Sequence, residues 1–104
     1  MIHVGEWLAS RTPAPPKELA NRLSALVGGE TCADTTEMAE LMLRRAAALL
    51  ETLCDDRSGA FDLLVADALI TYAMEAAADD HDRFDELTAR AAAMIAGASR
   101  GGQR

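Results

Sequence analysis

Aromatic side chains are scarce in this chain: one Trp, one Tyr and two Phe in 104 residues. Stacked rings cannot fill its interior, so aliphatic side chains have to. Proline is confined to TPAPP, at Pro13, Pro15 and Pro16, so nothing downstream of that stretch is forced to break a helix. Histidine is limited to His3 and His81, and cysteine to Cys32 and Cys54. These four residues offer no C-x-x-C pair and no four-ligand set, so the sequence gives no support to a structural zinc site or a dithiol redox centre. An intact helix between the cysteines, ~20 residues at ~1.5 Å rise, would hold them about 30 Å apart, beyond disulfide reach. Neither histidine has an identifiable Ser or Cys partner. No catalytic residue, cofactor or metal is expected.

Long apolar runs are also missing. None approaches the ~18–20 residues that span a bilayer. The start, MIHVGEWLAS, lacks the basic segment, apolar stretch and small-residue cleavage site of a secretory signal, so the expected location is the cytoplasm. Lysine is nearly absent, with Lys17 alone, while Ala and Arg are abundant, the usage expected of a bacterial chain.

What is present is alanine, at 22 positions, followed by leucine. Both are strong helix formers, whereas β-branched residues are few and scattered. An all-α domain follows, and its alanines allow close helix approach. One domain of this length buries a sufficient core unaided.

The net charge of −7 is unevenly placed. Residues 55–86 hold ten acids and two bases, and the other 72 residues are close to neutral. Nucleic acid is disfavoured as a partner, because phosphate binding needs clustered Lys and Arg. An anionic membrane surface is disfavoured for the same reason. A basic protein partner remains possible at the acidic 55–86 segment.

Along the chain, residues 1–14 read as an N-terminal arm and Pro-rich connector, with Trp7 and Leu8 in a short turn docked on the rest. Helix one starts near Pro15 or Pro16, presents Leu19, Leu23, Leu26 and Val27 as one stripe, and ends at Gly28-Gly29. Helix two follows DTTE, where Asp34 and Glu37 form a capping-box pattern, and its buried face includes Met38, Met42, Leu43, Ala46 and Leu49. Ser58 is placed to cap helix three, roughly 59–78. Helix four begins near Asp82 and runs to Ala98, leaving 99–104 as a disordered tail. Short turns favour antiparallel neighbours, so residues 15–98 are expected to form a small up-down four-helix bundle.

Two acidic features could carry chemistry. Asp67, Thr71 and Glu75, at four-residue spacing, share a strip about 80° wide on helix three. Di-iron bundles need Glu-x-x-His on facing helices, which is absent here, so a solvated strip is expected, paired with Arg45 or Arg90. The DDHD cluster at 79–82 suits capping of helix four better than cation binding, because adjacent residues rarely converge on one centre. The segment ADALITYAMEAAA, residues 66–78, resembles one helix of the trans-prenyl diphosphate synthases. That family's DDxxD motifs bind magnesium and diphosphate; here Asp55-Asp56 is followed by Gly59, and Asp79-Asp80 by Arg83. No site residue therefore carries over.

Helix three is apolar nearly all round, which suits a helix facing both its own core and a second subunit. The expected function is a non-catalytic protein–protein interaction or homo-oligomerisation module, with a homodimer as the first candidate. The alternative is a bundle enclosing an apolar small molecule. Met38, Met42, Tyr72, Met74 and Met94 are the candidate interface or ligand wall in either case, since methionine adapts to irregular surfaces.

Overall fold

The computed structural model describes residues 1–53, 55–78 and 81–101, with side chains in the last segment described for 85–97. In order, the elements are β1 (Ile2–His3), α1 (Val4–Ala9), α2 (Lys17–Val27), β2 (Thr31–Cys32), α3 (Thr35–Glu51), α4 (Arg57–Ala77) and α5 (His81–Gly101). The chain is mostly helical, as its Ala and Leu content dictates.

The arm is more built than a docked turn. Ile2 pairs antiparallel with Cys32 and His3 with Thr31, and the Val4 amide donates to the Glu30 carbonyl at 3.0 Å. The chain start is thereby stitched to the α2–α3 loop. Val4 is fully buried, and Trp7 and Leu8 pack against the core. α1 comes very close to the end of α2: a Cβ added to Gly5 would lie 2.7 Å from the Gly28 carbonyl oxygen.

Pro16 occupies the N-cap position of α2 without a side-chain cap, and Leu23 and Val27 are the buried part of the helix's stripe. Gly28 ends the helix in the right-handed region, so it serves for close approach and not for a left-handed turn. At α3 the Asp34 carboxylate accepts from the Glu37 amide at 2.8 Å. Glu37 Oε2 accepts in return from the Ala33 amide at 2.8 Å, one residue earlier than a standard capping box. α3 then buries Met38, Ala39, Leu41, Met42, Leu43, Ala46 and Leu49.

α4 is capped by Asp56, not Ser58. The Asp56 Oδ1 accepts from the Gly59 amide at 3.1 Å, and the Ser58 hydroxyl donates to it at 2.7 Å. These hydrogen bonds, that from Ser58 foremost, hold the Asp56 carboxyl below its usual range. α4 buries Val65, Ala66, Leu69, Ile70, Ala73, Ala76 and Ala77, and shares its most extensive helix contact with α3. α5 adds Leu87 and Ala91 to the same core. The Thr88 hydroxyl lies 3.4 Å from Met74 Sδ, which sets α5 beside α4. α5 continues to Gly101, past Ala98, since its Ala-rich end contains no strong stop signal; the rest of the expected tail, 102–104, lies outside the described residues.

Candidate functional site

The solvent face of α4 carries the polar strip singled out above. Asp67, Thr71 and Glu75 are all exposed, and the Thr71 hydroxyl is turned back to donate to the Asp67 carbonyl at 2.9 Å. The first half of the same face is different. Ala60, Leu63 and Leu64 are exposed there, with Leu63 at 51% and Leu64 at 60% of full accessibility. Arg57, also exposed, stands at the head of this face. At about 100° per residue, all of these positions fall within one sector roughly 120° wide. The sector is apolar towards its N-terminal end and acidic towards its C-terminal end.

The arm borders the acidic half. Arg11, Thr12 and Pro13 face Asp67, Ala68, Thr71, Tyr72 and Glu75 across an open cleft of about 310 Å³. Arg11 is held over the Trp7 ring at 4.2 Å, its Nη2 donates to the Ser10 hydroxyl at 3.2 Å, and its Nε is buried without a hydrogen-bond partner among the described residues. The Trp7 ring meets Tyr72 edge-on at 6.2 Å. The arm is thus anchored through aromatic contacts, and the carboxylates opposite remain at the solvent edge.

Arg45, one of the two partners expected for the strip, does not reach it. Arg45 instead pairs with Glu30 at 3.3 Å, because the β1–β2 ladder holds the Glu30 loop against α3. The neighbouring acid Asp62 lies 3.8 Å from Arg22 of α2. Among the described residues no group of three or more His, Cys, Asp or Glu side chains converges as a metal site would require. Cys54 and the DDHD cluster lie outside the described residues, save for the backbone of His81 and Asp82 at the start of α5.

The methionines separate into two sets. Met38 and Met42 are fully buried in the chain's own core. Their apolar faces are covered because α3 is packed by both α4 and α5. Met74, Met94 and Tyr72 are half-buried at the core margin. Of the five, Tyr72 alone is among the residues lining the cleft.

Leu63 and Leu64 escape the periodicity argument, although the doublet itself carries a signal. Consecutive leucines point about 100° apart on a helix, so one buried stripe has difficulty covering both. Arg11 escapes it as well; its spacing of four residues after Trp7 is that of a helical side-chain pair. Among the described residues this face therefore presents two exposed leucines followed by a strip of exposed carboxylates. No protein-family model, curated protein or solved structure matches the chain.

Proposed function

We propose that the chain is a non-catalytic helical interaction module that docks through the first half of the α4 solvent face. The observation that carries this reading is the exposure of Leu63 and Leu64, at 51% and 60%, side by side on one helix. Large aliphatic side chains left together in water favour a partner that removes them from it, at about 25 cal/mol per Å² of apolar surface covered. Ala60, one turn before Leu64, offers little obstruction to a close approach. The acidic second half of the face would meet the basic rim of a partner. In this reading the four long helices α2–α5 are an up-down bundle acting as a rigid support, with the arm bracing one flank.

Self-association is the most direct test. Sedimentation velocity from micromolar to millimolar concentration is expected to show reversible mass increase for the native chain. The Leu63→Ser/Leu64→Ser double variant is expected to stay monomeric while keeping its helical circular dichroism. If the native chain associated and Leu63→Ser/Leu64→Ser left that association unchanged, this face would not be the docking surface and the reading would be lost; a chain that stays monomeric throughout excludes self-association and leaves the face to a different partner. Replacing Asp67 by Asn and Glu75 by Gln is expected to change stability by only ~0.5 kcal/mol or less, as for other exposed surface positions. A much larger loss would mean that the strip does structural or chemical work.

A further inference from the structure

Resting on the interaction reading, we infer that the occupant of this face is a second copy of the chain, packed antiparallel with Arg57 of each copy opposite Asp67 of the other. Arg57, Ala60, Leu64 and Asp67 follow one another at three, four and three residues, the alternating spacing of a seam between two helices. All four are exposed in the single chain, and so is Leu63, which flanks the seam.

The order of these residues selects the orientation. A parallel pair would set Arg57 against Arg57 and Asp67 against Asp67, like charges at both ends. An antiparallel pair centred between Ala60 and Leu64 sets each Leu64 over an Ala60, large on small. It also sets each Arg57 opposite an Asp67. A two-fold axis repeats every contact, so one register supplies two Leu–Ala layers and two ion pairs. The next antiparallel register brings Leu64 against Asp67 and Arg57 against Met74, burying charge on hydrocarbon at both places. Charge and size thus agree on one alignment.

From Arg57 to Asp67 the seam covers about 15 Å of helix, ten steps of ~1.5 Å. That is less than a standard protein interface, so a weak, reversible dimer is expected, with dissociation constant on the order of 10–100 µM.

Charge reversal provides the test, read as the dimer dissociation constant by sedimentation equilibrium of the full chain. R57E sets a carboxylate opposite Asp67 twice, and D67R sets a second guanidinium opposite Arg57 twice. Each single reversal is expected to weaken the dimer about tenfold or more, consistent with the modest energies of exposed pairs doubled by symmetry. The R57E/D67R double variant is expected to return to within about threefold of the native value. A mixture of the two single variants is expected to associate as a heterodimer, since both of its ion pairs are attractive again. Circular dichroism checks that each variant is folded. If the native chain dimerises and Leu63→Ser/Leu64→Ser abolishes the dimer while both charge reversals leave it unchanged, this alignment is overturned and the interaction reading stands. A chain that is monomeric at every concentration overturns the second copy as occupant.

Discussion

The guanidinium of Arg11 lies 4.2 Å from the centroid of the Trp7 ring, four residues before it in the chain. The same ring meets Tyr72 of α4 edge-on, at 6.2 Å and 87°. One aromatic side chain therefore connects the arm to the helix that carries the exposed face. The Ser10 hydroxyl strengthens the local turn by donating to the Trp7 carbonyl at 2.6 Å.

This arrangement predicts an ordered loss of stability. Trp7→Ala removes the half-buried ring and both of its partners, and should cost ~2–4 kcal/mol in urea unfolding. Arg11→Ala removes only a partly exposed cation–π contact and should cost ~0.5–1 kcal/mol. Trp7 is the single Trp of the chain, so its fluorescence reports arm docking directly. Tyr72→Ala should shift that emission to longer wavelength by opening one side of the ring to water. Equal losses for Trp7→Ala and Arg11→Ala would contradict the ranking.

Two glycines near the same flank should behave oppositely. A Cβ at Gly5 would meet the Gly28 carbonyl oxygen at 2.7 Å, a backbone atom that cannot swing aside. Gly5→Ala should therefore lower stability by ~1–3 kcal/mol, the range for overpacking. A Cβ at Gly29 would meet nothing within 4 Å, and its φ is not positive. Gly29→Ala should be neutral within ~0.5 kcal/mol or slightly stabilising, because it narrows the unfolded ensemble. Thermal unfolding of the two variants side by side checks the contrast.

How far the sequence reveals this structure depends on the range of the interaction concerned. Local signals are legible: the Asp34–Glu37 cap, the Leu19–Leu23–Leu26–Val27 stripe, and the exposure of Asp67, Thr71 and Glu75 all depend on residues within a few positions of one another. The cap of α4 falls two residues before its expected place because Asp56 and Ser58 are both good cap formers, and Ser58 ends up donating to Asp56. The β1–β2 ladder is not legible. Two residues are too few for a strand pattern, and Ile2 becomes extended only because Cys32, thirty residues away, offers it a partner. The apolar half of the candidate site is hidden for a related reason. Periodicity shows that α4 is apolar nearly all round, but which side its own chain leaves uncovered depends on where the arm and α5 come to rest.

Cys32 provides a check on the ladder that is independent of the interface. Its thiol is 4% exposed, opposite Ile2 in the two-residue sheet. Burial raises its pKa above the ordinary 9.0, and the charges of Glu37 and Glu30, with a lesser one from Asp34, push the same way while Arg44 opposes them. The folded chain thus holds the thiol proton more tightly than the unfolded chain does. The stability arising from this difference is fully present below pH 9.0 and is lost as pH rises through the folded-state value. A Cys32→Val variant keeps the buried apolar contact without the proton, so its stability should fall less steeply between neutral pH and about pH 10 than that of the native chain. In a Cys54→Ser background, Cys32 should react slowly with a thiol reagent at about pH 8 and rapidly once urea unfolds the chain, because the thiolate is the reactive form and the fold suppresses it. Equal reaction rates in the two states would mean that the ladder opens readily and that Ile2 does not shield the thiol.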